Sequence, residues 1–317
     1  MMGMCTMKKL LLKGLIFVPV LFLSLVLFVN YVIPPQYDDS YQRAITLQYD
    51  AYKKIKSNKI VFIGNSSLAY GLDLDLMEEL SGSTCQILGN HAGIGLPYLM
   101  EMSKSNLRSG DTVVIEFVNN TIDSFGADLL LTGIENHIEM YRFFRPRDID
   151  DVVKAYPSYV SKKINAWIYT PYKGNDGYEI SDFDDRGNMI LRREGCLIPE
   201  PWNDKVEETY KTAHWSTTFD KAFIQYLNEY IAYCKDRNVQ VLFTCVPYLD
   251  ESVRSTTEEI RASDEALSDL LDAPLVSDSL NYIYSRTYIY NAIAHCNSLG
   301  AEKRTRQLYQ DIKPYIS

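Results

Sequence analysis

Beyond its first 34 residues the chain alternates short, uninterrupted apolar runs with longer stretches in which apolar residues recur at helical spacing. Lys59-Ile-Val-Phe-Ile63 is the first run, Cys85 to Leu88 the second, Thr112-Val-Val-Ile-Glu-Phe117 the third and Val239 to Cys245 a fourth. Between them the spacing predicts helices over 41–56, 74–80, 218–237 and 256–271, and another opened by Pro97 and ended near Gly110. A weak strand and a closing helix from Leu299 to Tyr315 follow. Strands and helices in alternation predict an α/β fold with a parallel sheet. Residues 120–215 lose this rhythm: helical patches at 128–143 and 148–166 precede a loop-rich section, Asp182-Phe-Asp-Asp-Arg-Gly187. That stretch is expected to form an insert over the edge of the sheet.

The first 34 residues have a different pattern. Gly14 to Ile33 is a 20-residue run without a charge, rich in Leu, Val, Phe and Ile, long enough to cross ~30 Å of hydrocarbon. A cleaved signal peptide is the rival reading. However, Val29-Asn-Tyr-Val-Ile-Pro-Pro35 offers no small-x-small cleavage site, and the run exceeds the ~7–15 residues of a signal core. Lys8, Lys9 and Lys13 precede it, and Asp38 and Asp39 follow. By the positive-inside rule the expectation is a cytoplasmic N-terminus (1–13), a transmembrane helix (14–33) and one large extracytoplasmic domain (34–317) in the cell membrane.

Charge narrows the partners. The 317 residues carry a net charge of -9, and because the first 33 hold three lysines and no acid, the remainder stands at -12. Such a surface does not suit nucleic acid, and a polyanionic polymer would need a local basic groove. Of six cysteines, Cys5 lies on the cytoplasmic side, leaving an odd five beyond the anchor, several in apolar stretches where a buried thiol is the expectation. No spacing resembles a zinc site.

In an open α/β sheet, ligands bind outside the carboxyl ends of the strands. The three earliest strands end in Gly64-Asn-Ser-Ser67, in Gly89-Asn-His-Ala-Gly-Ile-Gly95 and in Asn119-Asn120, so these loops are expected on one edge. A serine after a strand more commonly caps the next helix. Here it has a potential base in His295, four residues after Asn291. Hydroxyl, imidazole and carboxamide form an acyl-transfer triad if the fold unites them. The glycine loop lacks the order of a dinucleotide fingerprint; as an oxyanion element it fits better, because glycine lets a backbone N–H approach a substrate oxygen.

Together these blocks resemble the SGNH, or GDSL-type, esterase and acyltransferase superfamily, in particular its membrane-anchored bacterial branch acting on surface polymers. The resemblance spans roughly 59–313: Ile60-Val-Phe-Ile-Gly-Asn-Ser-Ser-Leu-Ala-Tyr-Gly-Leu-Asp73 for the first block, Gly93 for the second, Asn119 or Asn120 for the third, and His295 to Thr305 for the last. Asp182-Phe-Asp-Asp-Arg-Gly-Asn188 is similar to a further segment of that branch. The resemblance implies a three-layer, flavodoxin-like parallel sheet. It also implies Ser66 as nucleophile, His295 as base, Asn291 orienting the ring, and an oxyanion hole from the N–H groups of Ser66 and Gly93 with Asn119 or Asn120. No metal or diffusible cofactor is required. In the family the position of Asn291 is an aspartate, so this chain keeps the hydrogen bond to the imidazole but not the negative charge.

Two functions follow as expectations. One is an outward-facing acyl esterase or O-acyltransferase acting on a surface glycan or wall polymer, with a membrane-bound O-acyltransferase or polysaccharide export machinery as partner. The other is a binding or assembly protein that kept the fold and lost the chemistry, its 24 tyrosines offering stacking surfaces for sugars.

Overall fold

The four apolar runs are four strands of one parallel sheet. The computed structural model describes residues 2–118, 125–169 and 179–316, with the backbone alone over 2–12. The strands are β1 (Lys59–Ile63), β2 (Thr84–Leu88), β3 (Thr112–Phe117) and β4 (Gln240–Cys245), in the order β2-β1-β3-β4. Pro274 and Val276 bond to Phe243, so the expected weak strand survives as a single parallel bridge beside β4. Two two-residue strands, β5 (Tyr248–Leu249) and β6 (Ile283–Tyr284), make a separate small parallel pair.

Alternating side chains of each strand face opposite sides. Val61, Ile63, Val113, Ile115, Val241 and Phe243 pack on α2 (Ala44–Lys54), α5 (Leu96–Ser103) and α9 (Lys221–Lys235). Ile60, Phe62, Val114 and Leu242 pack on α3 (Ser66–Gly71), α4 (Leu74–Ser81) and α11 (Ser298–Ile312). The remaining helices are α6 (Ala127–Gly133), α7 (Ile149–Ile168), α8 (Asp204–Tyr210) and α10 (Thr257–Leu270). Both faces of the sheet are therefore covered, which is why its strands are apolar runs. The helix opened by Pro97 stops at Ser103, short of Gly110. The short α3 lies where the sequence pattern predicts only a loop.

The N-terminal helix α1 (Met2–Leu27) continues as a π-helical turn, Phe28–Val32. Its segment Lys13–Val32 has mean hydropathy 2.5 and is long and apolar enough to cross a membrane. Its far end is not a free tether. Val26, Val29 and Ile33 pack on Tyr156, Tyr159 and Val160 of α7, and the Phe22 ring lies 6.0 Å from that of Tyr156. Asn30 donates to the Val26 carbonyl at 2.8 Å and to the Tyr156 hydroxyl at 3.4 Å. Just beyond, the Glu135 carboxylate accepts the N–H groups of Gln36 and Tyr37 at 2.7 and 2.8 Å and pairs with buried Lys163 at 2.9 Å.

The insert divides. Helices α6 and α7 join the anchor, whereas the stretch after residue 179 folds back along the sheet, where Gln48 of α2 donates to the Gly187 carbonyl and Arg186 bonds Glu78 of α4. The five cysteines past the anchor are free thiols, and Cys85, Cys234, Cys245 and Cys296 are buried.

One buried ion pair joins strand to last helix. Glu116 of β3 and Arg304 of α11 are both fully buried and in contact. Arg304 also donates to the Ser67 carbonyl at 2.7 Å, and the Ser67 hydroxyl donates to Glu116 at 2.5 Å. Removing one member of such a pair leaves an uncompensated charge, at a cost of about 3–5 kcal/mol. Arg304→Met is therefore expected to lower unfolding stability by about that amount, measured by denaturant titration, while Glu116→Leu with Arg304→Met costs less than either single change.

Candidate active site

The carboxyl ends of β1 and β2 meet through glycine. Gly64 follows β1 and donates to the Leu88 carbonyl at 3.2 Å. Gly89 follows β2 with φ +139°, and a Cβ there would stand 1.9 Å from the Gly64 oxygen. A side chain at Gly89 would thus push the two loops apart. Asn65 then caps α3, its Oδ1 accepting the Ser67 N–H at 2.8 Å. Ser66 occupies the first helical position, where the backbone N–H has no intrahelical acceptor and points outward.

The serines of the Ser-Ser pair have different partners. Ser67 is buried, its hydroxyl held between Asn65 Oδ1 at 2.7 Å and Glu116 at 2.5 Å. Ser66 is half-buried, and its Oγ lies 2.9 Å from His295 Nε2. On the other side of the ring, His295 Nδ1 lies 2.9 Å from Asn291 Oδ1. An amide oxygen can only accept, so Nδ1 carries the proton and Nε2 presents its lone pair to the serine hydroxyl. The structure thus brings Ser66, His295 and Asn291 together as a hydroxyl–imidazole–carboxamide relay.

Local structure sets the spacing of the last two. The Tyr290 N–H donates to the His295 carbonyl at 2.8 Å and the His295 N–H to the Ala292 carbonyl at 3.0 Å. An antiparallel bridge, Ile289 to Cys296, closes this loop. Asn297 then caps α11 through its Oδ1 and the Gly300 N–H at 2.9 Å. Residues 291 and 295 lie on one tight loop at the mouth of the last helix.

Two residues of this site are not evident in the sequence. The Tyr70 ring stacks on His295, 4.0 Å between centroids and 7° from parallel. Arg193, from the insert, places its guanidinium 5.0 Å from the centroid of Tyr70 and donates to the Tyr70 carbonyl at 3.0 Å. Tyr70 stands four residues after Ser66 on α3, a helical spacing that marks the shared face only once α3 is known. Arg193 carries no such signal.

The other expected residues are placed as follows. The Gly93 N–H donates to His91 Nδ1 at 2.9 Å, so in this form it is occupied and not offered to an oxyanion. The Gly93 carbonyl accepts the Gly126 N–H at 2.6 Å, tying the glycine loop to the start of α6. Asn119 and Asn120 lie outside the described residues. The described residues contain no cluster that would hold a metal ion.

Electrostatics keep the base neutral. Burial, with the Arg193 guanidinium and His91 nearby, lowers the pKa of His295 from 6.5 to about 4. A cation disfavours protonation of the ring, and the neutral Asn291 does nothing to offset it. Asn291 thus differs from a carboxylate in charge while serving the same hydrogen bond. No family model matches this chain, and no curated protein does.

With its pKa below the ordinary value, His295 holds fewer protons in the folded than in the unfolded protein between pH 4 and 6.5. Its contribution to stability is therefore lost as pH falls through that window. A neutral ring is also the form able to accept the serine proton. Any reactivity of Ser66 should accordingly hold down to about pH 4 and fail below it. Arg193→Met should move this acid limb upward, and NMR titration of the His295 ring checks the shift directly.

Proposed function

We propose that this chain is a membrane-anchored, SGNH-type serine acyl esterase or O-acyltransferase acting on a cell-surface polysaccharide or wall polymer. The observation that carries the reading is the relay from Ser66 Oγ to His295 Nε2, and from Nδ1 to Asn291 Oδ1, each step 2.9 Å. Strand order supports it. With the bridge at 274–276 beside β4, the order β2-β1-β3-β4 extends as in flavodoxin-like sheets. In such a sheet the switch point falls between β1 and β3, and Ser66 follows β1. The apolar run 14–33, with Lys8, Lys9 and Lys13 before it and Asp38 and Asp39 after it, supports a single-pass anchor with the domain outside. A membrane-bound O-acyltransferase or an export complex would then be its neighbour in the bilayer.

The chemistry runs in two halves. Ser66 Oγ attacks an ester carbonyl while its proton passes to His295 Nε2, and a tetrahedral oxyanion forms. The Ser66 N–H, open at the first turn of α3, is one donor for that oxyanion. The Gly93 N–H becomes a second if His91 turns away from it. Collapse expels the alcohol, which takes the proton from His295 and leaves acyl-Ser66. Water or a sugar hydroxyl then attacks in the same way, its proton going to His295; collapse breaks the acyl–Oγ bond, Ser66 takes that proton back from His295, and the acid or the new ester is released. Asn291 holds the ring in the right tautomer throughout but adds no charge to stabilise the imidazolium. A cavity of about 220 Å³ shares Arg193 with the site and is walled by Asp73, Arg186, Asn188 and Ser298 together with Leu72, Met189 and Leu191. Its polar lining suits a hydroxyl-rich acceptor.

The missing charge also favours a second reading. A carboxamide in place of the carboxylate is what a binding or assembly protein on this fold would tolerate once turnover had ceased. Labelling with a fluorophosphonate separates the two. The enzyme reading expects an adduct on Ser66, located by peptide mapping, and none in Ser66→Ala or His295→Ala. A folded wild-type protein that takes no adduct moves the assignment to the binding protein.

Replacing Asn291 itself gives a further prediction. Asn291→Asp should accelerate labelling, by at most the ~10⁴ that the reverse change costs in a serine protease. It should also raise the acid limb of the pH profile, because a carboxylate favours the imidazolium. An unchanged rate and profile would mean that Asn291 has no hold on the ring in solution.

A further inference from the structure

Helix α7 carries an apolar strip, interrupted at buried Val160, that the described residues leave exposed towards its two ends. Ile149, Val153, Trp167 and Ile168 are 53%, 52%, 44% and 55% exposed, and Tyr169 at the helix end is 76% exposed. At 100° per residue the first four, with exposed Pro157, fall within about 100° of arc. Within that arc Val160 is buried and Ile164 half-buried where the N-terminal segment packs on them, and Tyr156, Tyr159, Lys163 and Ala166 are buried in the sector to one side. Asp150, Lys154, Ser158 and Lys162 are exposed on the other. Single exposed apolar residues are ordinary; two exposed groups on one side of a helix, flanking the part that packs on an apolar segment, are not.

What lies beside the strip decides its occupant. The buried sector of α7 packs on Val26, Val29 and Ile33 of the apolar N-terminal segment, with Phe22 against Tyr156. Residues from Leu15 to Leu27 of that segment are themselves largely exposed on their remaining faces. If α1 spans the bilayer, lipid that surrounds its last turns must also meet the helix clamped against them. Trp167, at the end of the strip, is a residue that favours the membrane–water boundary, where an apolar ring and a polar N–H are both accommodated. The charged sector of α7 then faces water, as in an interfacial amphipathic helix, whose apolar face sits ~5–10 Å into the headgroup and acyl boundary.

We propose that α7 is a second membrane contact, lying in the leaflet on the domain's side with Ile149, Val153, Trp167 and Ile168 against acyl chains. The proposal rests on reading α1 as a membrane span and is independent of catalysis at Ser66. Its ligand is the lipid surface itself. Through the buried Glu135–Lys163 pair and the Asn30 contacts, anchor and α7 form one rigid foot, and the domain is held at a fixed height and orientation over the membrane.

The full-length chain tests this with Trp167 as reporter. Trp202→Phe and Trp215→Phe leave it as the sole tryptophan, and the protein is reconstituted in phosphatidylcholine–phosphatidylglycerol vesicles with plain or dibrominated acyl chains. The expected result is loss of most Trp167 emission in the brominated vesicles, recovered when Val153→Glu and Ile168→Glu are added at these exposed positions. Emission equal in both lipids, from protein that still floats with vesicles after alkaline carbonate, overturns the proposal and leaves the anchor intact. A blue-shifted but unquenched Trp167 that crosslinks into dimers or to another membrane protein overturns it in favour of a protein partner. Failure to float after carbonate removes the anchor reading and this proposal with it.

Discussion

The buried pair of Glu116 and Arg304 joins the two halves of the candidate site. The nucleophile follows β1 near the start of the sheet, and the histidine precedes the last helix, 229 residues later. Arg304 spans that gap by bonding Glu116 of β3 and the carbonyl of Ser67 at once. Glu116 in turn holds the Ser67 hydroxyl. Both charges are fully buried, so neither can be released without exposing the other to an apolar interior. The pair thus sets where α11 sits against α3, and with it the distance from His295 to Ser66. Gly71 belongs to the same arrangement: a Cβ there would lie 2.3 Å from the Arg304 guanidinium.

Neutrality is the second theme. A base flanked by a carboxylate gains support for its protonated form; His295 instead has an amide on one side and a stacked tyrosine backed by a guanidinium on the other. Burial first, and then the Arg193 guanidinium, disfavour a proton on the ring. Such a site keeps a base available in acid conditions and makes the imidazolium costly to form. It therefore combines an intact geometry with weakened proton-transfer power, which is why enzyme and binding protein are the two readings that meet here.

The apolar N-terminal helix and the candidate site are linked through packing. The glycine loop is tied to the start of α6 by the Gly126 N–H, α6 packs on α7, and α7 clamps the end of the apolar segment. Buried polar contacts at Asn30, Glu135 and Lys163 fix this junction where apolar packing alone would allow sliding. The candidate site is thus carried on a frame tied to the apolar helix.

The sequence by itself determined the strands, most of the helices and an N-terminal helix long and apolar enough to cross a membrane, because burial on both faces of a sheet and an uninterrupted apolar helix each leave a local signature. The 59–63 and 112–117 strands coincide with their apolar runs, and Asp73 caps α4 where the pattern opens that helix. Through the resemblance it also pointed to Ser66, His295 and Asn291. Tertiary structure supplied the reason that Ser66 and not Ser67 meets His295, since Glu116 captures the Ser67 hydroxyl across 49 residues. It alone found the Arg193–Tyr70 stack, occupied the Gly93 N–H with His91, and divided the insert between anchor and site. Each of these is a contact between segments far apart in the chain. No local periodicity records such contacts; they exist only once packing has brought the segments together.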